Sequence, residues 1–285
     1  MENNMAMEYP MFCYQCEQTA GGKGCTKLGV CGKTPEVAAL QDLLIFQIKG
    51  ISCYAKEIIE QGQNVDKEII TFIENSLFTT LTNVNFDADV HVEMLKESQR
   101  IKEQLRKQVG NINNDTEHAT YNLSETRSEM LKDAKKAGIM YDQNLDPDIR
   151  SLRQTIIYGL KGISAYGHQA RELGYYDDEV DNFYVRALEA TTDDSLSVEE
   201  LIRWTMRTGD MSVAVMKKLD EANTTVYKNP SPHKVNVHLK KGPFIIVSGH
   251  DLKDLDMLLK QTEGKGINIY THGEMIPSHG YPELK

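Results

Sequence analysis

Four of the five cysteines lie within nineteen positions near the amino terminus, with the spacing C-x2-C-x8-C-x5-C: Cys13, Cys16, Cys25 and Cys31. Thiolates are soft ligands that favour iron–sulfur clusters or zinc, and a reduced chain has few other uses for thiols so close together. A structural zinc site of four cysteines usually contains two C-x2-C pairs, whereas this stretch contains only one. The wider spacing that follows is glycine-rich and suits a loop around a bulky cubane. We therefore predict a 4Fe-4S cluster loop, with structural zinc and a disulfide pair as the alternatives.

A second group of candidate ligands follows two predicted strands near the carboxyl-terminal end of the sequence. Ser248-Gly249-His250-Asp251 leaves the first strand, and Thr271-His272-Gly273-Glu274 leaves the second. Parallel neighbouring strands would place both loops at one edge of the sheet, about 5 Å apart, where ligands bind in open α/β sheets. His250 and Glu274 are therefore predicted to converge on one metal. The alternative is that His250 and Asp251 only begin a helix and that Glu274 is solvated.

A strand–helix–strand unit is predicted to hold these side chains. Phe244-Ile245-Ile246-Val247 is a continuous apolar run, rich in β-branched residues, which predicts a buried parallel strand. A short amphipathic helix follows over 252–259, and Ile267-Asn268-Ile269-Tyr270 predicts the second strand. One such unit leaves both sheet edges and most of one face uncovered, so we expect the α/β domain to be incomplete in this chain.

The preceding part of the chain is predicted to be helical and internally duplicated. A long helix is expected from Thr34-Pro35 to Gly62, because threonine and proline suit a helix start and glycine suits its end. The same pattern returns 112 positions later, from Asp146-Pro147 to Gly174, with ten of twenty-nine aligned positions identical. Two further apolar segments follow each long helix, so each copy predicts a three-helix bundle. These segments are 69–81 and 90–109 in the first copy and 180–190 and 198–219 in the second.

Three further expectations concern packing within the helical part. Gly50 and Gly162 lie in the middle of the two long helices, where glycine costs about 1 kcal/mol relative to alanine, so close backbone packing is expected at both. The alternative is that the duplication kept a glycine without a packing role. Cys53 lies in the first long helix and aligns with Ala165, so we expect a small core residue. Residues 123–136 are expected to form an exposed connecting helix.

These elements together predict a mainly α protein with an α/β part. A Cys-rich, cluster-binding loop is expected over 1–33 and a helical domain of two three-helix bundles over 34–228. The start of a Rossmann-like parallel α/β domain is expected over 229–285. The boundary between the last two domains is placed at the start of Asn229-Pro230-Ser231-Pro232, where the helical periodicity stops.

Composition narrows the possible partners. The chain has 285 residues and a formal net charge of −10, which argues against nucleic acid or an anionic membrane as a partner, since both require a basic face. No apolar run approaches the roughly 18 residues that a membrane helix needs, and the first ten residues do not resemble a secretion signal. A cytoplasmic location is expected, and an oxygen-sensitive cluster would indicate an anaerobic or microaerobic setting.

Two segments resemble motifs of one family, the hybrid-cluster proteins or prismanes, which are generally described as hydroxylamine reductases. The amino-terminal motif of that family is similar to MFCYQCEQTAGGKGCTKLGVCGKTPEVAALQDLL, and a second motif is similar to FIIVSGHDLKDLDMLLKQTEGKGINIYTHGEMIPSHGYPELK. The resemblance implies that Cys13, Cys16, Cys25 and Cys31 hold a 4Fe-4S cubane. It implies that His250 and Glu274 are ligands of a hybrid iron–sulfur–oxygen cluster of the 4Fe-2O-2S type.

The resemblance also implies a reaction, the reduction of hydroxylamine to ammonia and water, with nitric oxide as an alternative substrate and a redox partner protein as electron donor. The sequence departs from the family in one respect, because the hybrid cluster needs further cysteines and Cys53 is the only one after Cys31. The resemblance therefore implies that this chain loads the cubane but does not complete the hybrid cluster, and that activity requires a carboxyl-terminal half. The alternatives are a non-catalytic 4Fe-4S electron-transfer module and a helical scaffold with structural zinc.

Overall fold

The structure, a computed structural model, describes residues 11–112, 116–141 and 143–284. The first ten residues of the predicted cluster-binding segment therefore lie outside the described residues. The chain forms two compact units, the first comprising Met1–Ala165 and Asp178–Ser212, and the second comprising Tyr166–Asp177 and Val213–Lys285. Most of the described residues are helical, and the sheet that they contain is small, parallel and two-stranded. Among the described helices, none combines the length and the hydrophobicity that crossing a membrane requires.

The first copy of the repeat forms the three helices that its apolar segments predict: α1 (Pro35–Glu60), α2 (Lys67–Thr79) and α3 (Ala88–Val109). The predicted helix start is confirmed, since the Thr34 side chain accepts a hydrogen bond from the Val37 backbone N–H at 3.2 Å. Gly62, just beyond the helix, adopts a φ of 74°, the left-handed conformation expected after a helix end. Helix α1 packs mainly against α3, and it forms the centre of the first unit because it is buried along most of its length.

The connection after α3 contains two short helices, α4 (Glu117–Thr120) and α5 (Arg127–Asp133). A capping box formed by Thr126 and Glu129 begins α5. Met130 and Leu131 are buried in a cluster with Leu40, Leu43, Leu44 and Phe46 of α1. The predicted exposed helix over 123–136 is therefore wrong in length and burial, because this segment covers the apolar side of α1.

The second copy forms a matching set of helices: α6 (Pro147–Glu172), α7 (Asp178–Ala190) and α8 (Val198–Tyr227). The first two have the same lengths as their counterparts, 26 and 13 residues, and α8 is longer than α3. Helix α7 packs against α1 and α2 in the first unit. The duplication therefore predicts both the order and the approximate bounds of six helices.

The mid-helix glycines have different surroundings in the two copies. A Cβ atom on Gly50 would overlap the backbone carbonyl of His118, so the expected close packing is confirmed there. Nothing lies within 4 Å of a Cβ atom built on Gly162, so close packing is wrong in the second copy, and the alternative of a glycine without a packing role fits there. Cys53 is 1% exposed and is a core residue, as expected.

The second unit contains β1 (Phe244–Ser248), α9 (Leu252–Thr262) and β2 (Asn268–His272). The strands pair in parallel with Phe244 opposite Asn268 and Ser248 opposite His272. A core of Tyr227, Leu252, Leu255, Met275 and Leu284 supports α9 and the segment that follows β2. The predicted burial of β1 is wrong, since Phe244 and Ile246 are 59% and 62% exposed. The apolar run forms the strand, but no second layer covers that face within the described residues.

Candidate metal centre

The first and third cysteines of the motif lie side by side in the loop that precedes α1. The Cys13 backbone N–H donates to the Cys25 carbonyl at 3.0 Å, and the Cys25 N–H donates to the Cys13 carbonyl at 2.8 Å. This antiparallel bridge joins two chain segments that are twelve positions apart. The loop therefore folds back on itself so that Cys13 and Cys25 are neighbours.

The Cys25 thiol lies in surroundings that favour its thiolate form. Its Sγ atom accepts the Ala20 backbone N–H at 3.4 Å and lies 3.7 Å from the Thr19 hydroxyl, which donates to the Cys13 carbonyl at 2.9 Å. Backbone N–H groups of Ala20 and Val30, with the Thr19 hydroxyl, hold the pKa of the Cys25 thiol below its ordinary value. Thiolates are the form that binds metal, so these donors prepare the residue for ligation.

Glycines let the loop backbone approach its own side chains closely. Gly24 has a φ of 145°, and a Cβ atom there would lie 2.6 Å from the ring of Phe12. A Cβ atom on Gly29 would lie 3.0 Å from Sγ of Cys31. Side chains at these two positions would displace Phe12 or the Cys31 thiol, so the loop shape depends on their absence.

The four thiols fit an iron–sulfur cluster by chemistry, although they do not form a finished site. All the cysteines are free thiols, and four of them lie in one short loop with N–H donors to sulfur. Such donors are the usual surroundings of cluster sulfurs. In the part of the chain that the structure describes, no three His, Cys, Asp or Glu side chains converge in a geometry that could hold a metal ion. The structure pairs Cys13 with Cys25 but does not bring all four thiols to a common centre.

His250 and Glu274 meet at one edge of the two-stranded sheet. Nδ1 of His250 lies 3.1 Å from Oε2 of Glu274, and the two side chains are 47% and 79% exposed. Each follows the end of a strand and a glycine with positive φ, 118° at Gly249 and 59° at Gly273. Because β1 and β2 are parallel and adjacent, both turns open on the same edge, as the sequence predicts.

Tyr166 contacts this pair within the second unit, and Asp251 follows His250 in the chain. The ring of Tyr166 lies 5.9 Å from the His250 ring in an edge-on arrangement. The Asp251 side chain accepts the backbone N–H groups of Lys253 and Asp254 and so caps α9. The alternative hypothesis is therefore correct that Asp251 begins a helix, but His250 is paired with a carboxylate.

The two other histidines of this segment bond to hydroxyl groups of the strands. Nδ1 of His272 lies 3.3 Å from the Ser248 hydroxyl, and Nε2 of His279 lies 2.8 Å from the Thr271 hydroxyl. These contacts fix the two rings beside the strand ends. The first contact links β1 to β2, and the second links β2 to the segment that follows it.

A set of charged residues that sequence reasoning missed lies behind the cysteine loop. Lys33, Lys49, Lys161 and Asp42 line a cavity of about 60 Å³ whose wall includes Cys13. Lys49 and Lys161 are aligned positions of the duplication. That identity was a signal in the sequence, but only the fold shows that both copies contribute to the same cavity.

Comparison with known families identifies the chain. The model of the Prismane/CO dehydrogenase family matches residues 11–285. The chain therefore belongs to this family, and the match includes the cysteine loop, the helical repeat and the β1–α9–β2 unit.

Curated relatives carry the name hydroxylamine reductase. A protein of Syntrophobacter fumaroxidans is 47% identical over 279 residues, which cover 96% of this chain and 51% of the relative. A protein of Desulfovibrio desulfuricans is 45% identical over 279 residues, covering 98% of this chain and 51% of the relative. A protein of Acetivibrio thermocellus is 46% identical over 278 residues, which cover 96% of this chain and 50% of the relative. The chain thus spans about half the length of the curated relatives it matches.

Proposed function

We propose that the chain is part of an iron–sulfur oxidoreductase that reduces hydroxylamine to ammonia and water, with nitric oxide as an alternative substrate. The observation that carries this proposal is the contact of His250 with Glu274 at the sheet edge, in a chain that also carries four free thiols in one loop. Family membership and the names of the relatives support the same conclusion. The activity belongs to the whole protein, of which this chain supplies the cubane loop and two further ligands.

In this proposal Cys13, Cys16, Cys25 and Cys31 hold a 4Fe-4S cluster. Four thiolates occupy the protein-facing positions of such a cluster and favour plain electron transfer. The bridge between Cys13 and Cys25 sets the spacing of two ligands, and the Ala20 N–H stabilises one thiolate. A redox partner protein supplies the electrons at this loop.

His250 and Glu274 would contribute to a hybrid cluster of the 4Fe-2O-2S type. Imidazole nitrogen and carboxylate oxygen are harder ligands than thiolates, and when bound such a cluster offers iron that binds a small nitrogen or oxygen donor. Hydroxylamine gains two electrons and two protons, its N–O bond breaks, and ammonia and water leave. The thiols for this cluster must come from outside the chain, since Cys53 is the only cysteine after Cys31 and is buried.

We propose three domains for the chain and a cytoplasmic setting for the protein. The loop (1–33), the helical part (34–228) and the α/β part (229–285) are three domains in this view. The helical part is a pair of three-helix bundles, and the α/β part begins a Rossmann-like domain. A cytoplasmic location under anaerobic or microaerobic conditions suits the cluster chemistry.

The test is hydroxylamine reduction by the complete gene product with a chemically reduced dye as electron donor. We expect turnover in the wild type and losses of tenfold or more in Glu274→Gln and in His250→Ala. Glu263→Gln is the matched control, because Glu263 is an exposed carboxylate just beyond α9. Full turnover in both site variants would contradict the proposed role of the pair.

A second candidate function is electron transfer alone. It is the function that the four-cysteine loop could supply by itself, because four thiolates favour plain electron transfer. The two candidates differ in outcome, since an electron-transfer module would cycle between redox states without consuming hydroxylamine in either the 285-residue chain or the complete gene product.

A further inference from the structure

A small polar cavity lies between the cysteine loop and helices α1 and α6 in the first unit. Its volume is about 60 Å³, and its wall includes Cys13, Gln15, Lys33, Asp42, Lys49 and Lys161. Three of these side chains are cationic and one is a carboxylate. The cavity therefore has an excess of positive charge, and it lies directly beside Cys13, a predicted cluster ligand.

Among the described residues, two of the three lysines donate hydrogen bonds to neutral amide or carbonyl oxygens, and the third donates none. Lys33 is 3% exposed and donates to the Gln41 amide oxygen at 2.5 Å. Lys161 is 7% exposed and donates to the Gln15 amide oxygen at 3.3 Å and the Thr80 carbonyl at 3.4 Å. Lys49 has no hydrogen-bond or ion-pair partner within the described ranges of the chain. None of the three is held by a carboxylate at ion-pair distance in the described residues.

This arrangement is energetically unfavourable unless an anion balances it. Burial, followed by the charge of Arg153, lowers the pKa of Lys49 to about 8. Burial and the charge of Lys33 lower the pKa of Lys161, and burial raises the pKa of Asp42. Desolvated charges of one sign destabilise a protein unless a counter-charge lies close by. Asp42 alone does not neutralise three ammonium groups.

The cavity is linked mechanically to the C-x2-C pair of the loop. The amide oxygen of Gln15 accepts a hydrogen bond from the Lys161 ammonium, and Gln15 directly precedes Cys16. The ring of Tyr14 packs edge-on against Tyr158 of α6 at 5.7 Å. Helix α6 therefore holds both the loop backbone and the charge of Lys161 in a fixed relation to each other.

The duplication brings both copies of one lysine into this cavity. Lys49 of α1 and Lys161 of α6 are separated by 112 positions, the offset of the repeat. Their helices flank the loop, so two equivalent side chains reach the same small volume. The repeat thus supplies two of the three positive charges.

We propose that Lys33, Lys49 and Lys161 form a buried positive pocket that raises the reduction potential of the cluster held by the cysteine loop. The inference rests on the proposed iron–sulfur function. Four thiolates give such a cluster a net negative charge, and the electron it accepts from a reduced donor adds to that charge without forming or breaking a bond. Nearby cations in a low-dielectric interior stabilise the added electron, and net charge around a cluster is one determinant of its potential.

The test is an anaerobic redox titration of the reconstituted chain, followed by electron paramagnetic resonance, with iron and sulfide measured in every sample. Lys49→Met and Lys161→Met are each expected to shift the midpoint potential to more negative values, and the double variant is expected to shift it further. Lys96→Met is the matched control, because Lys96 is an exposed lysine in the same unit. Its potential is expected to equal that of the wild type.

Two further measurements separate charge from structure. Lys161→Arg retains the positive charge and is expected to restore the potential that Lys161→Met loses. The shift in Lys49→Met should persist at high ionic strength, because buried charges are screened far less than surface charges. Within the residues that the structure describes, Lys49 makes no hydrogen bond, so Lys49→Met remains a test if Lys161→Met does not fold.

The outcomes distinguish this inference from the function on which it rests. A wild-type chain that binds no iron would overturn the proposed function and the inference with it. If the wild type binds the cluster but Lys49→Met and the double variant have the same midpoint potential as the wild type, the inference alone would be overturned.

Discussion

Nδ1 of His250 lies 3.1 Å from Oε2 of Glu274, although the two residues are separated by 24 positions in the sequence. The parallel pairing of β1 with β2 produces this contact, because Ser248 and His272, the last residues of the strands, are register partners. Gly249 and Gly273 then turn both loops from the strand ends with positive φ. An imidazole and a carboxylate thus reach one point on an exposed sheet edge.

The turn that carries Glu274 depends on Gly273. Its φ of 59° is unfavourable for residues with a Cβ atom, so Gly273→Ala is expected to lower the free energy of unfolding by about 1 kcal/mol. We also expect it to reduce hydroxylamine turnover by the complete gene product, because the turn sets the position of Glu274. Gly264→Ala is the matched control, since Gly264 has a similar φ of 69° with open space around it. Equal turnover losses in both variants, measured beside urea unfolding, would contradict this role.

The two mid-helix glycines are expected to respond to alanine with opposite signs. Gly50→Ala places a methyl group against the His118 carbonyl, and we expect a loss of about 2 kcal/mol or more in the free energy of unfolding. Gly162→Ala meets no neighbour and removes the conformational freedom of glycine from a helix, so a gain of up to about 1 kcal/mol is expected. Denaturation followed by circular dichroism measures both changes. The same sign in both variants would show that the two copies pack alike.

Thr19 links two parts of the cysteine loop. Its hydroxyl donates a hydrogen bond to the Cys13 carbonyl at 2.9 Å and lies 3.7 Å from Sγ of Cys25. Thr19→Val removes this hydroxyl at nearly constant shape. We expect the loop to lose its cluster to an iron chelator several-fold faster, which the bleaching of visible absorption measures. Thr26→Val is the control, because Thr26 is exposed in the same loop. Equal chelation rates for Thr19→Val and the wild type would argue against this function of the hydroxyl.

Lys102 is expected to make the free energy of unfolding depend on pH. It is 3% exposed, bonds to the Gln47 amide oxygen and the Tyr121 carbonyl, and burial lowers its pKa to about 7. Between about pH 7 and the ordinary lysine pKa the unfolded chain binds a proton that the folded chain does not. This lysine is therefore expected to make the free energy of unfolding increase with pH, by at most about 1.4 kcal/mol per pH unit.

The Lys102→Met variant is expected to lack that slope. Urea unfolding between pH 7 and 9 should show a difference between wild type and variant that grows with pH. Lys96→Met, at an exposed position of the same helix, should give a curve parallel to the wild type. A parallel curve for Lys102→Met as well would mean that Lys102 stays charged in the fold.

Much of the fold follows from local sequence patterns. Thr34-Pro35 and Gly62 mark the ends of α1 to within two residues, and the repeat predicts the corresponding helix α6. The apolar runs at Phe244 and Ile267 give two parallel strands, from which the meeting of His250 and Glu274 follows. These features depend on spacing along the chain, which the sequence contains directly.

Features that depend on contacts between distant segments were not predictable in the same way. Gly50 and Gly162 are identical in context along their helices, yet only Gly50 meets a carbonyl from a later segment. The exposure of β1 and the presence of the lysine cavity likewise depend on how separate elements pack against each other in three dimensions. The Cys13–Cys25 bridge is a further case, because the spacing of cysteines along the chain does not specify which of them become neighbours.

The central claim is that the four-cysteine loop holds an iron–sulfur cluster, and the most direct test is the iron and acid-labile sulfide content of the anaerobically prepared chain. We predict a brown protein with about four irons and four sulfides per chain. Cys13→Ser should lose most of this content, whereas Cys53→Ala, which matches Ala165 of the second copy, should retain it. A colourless wild-type protein that contains zinc and no sulfide would contradict the claim.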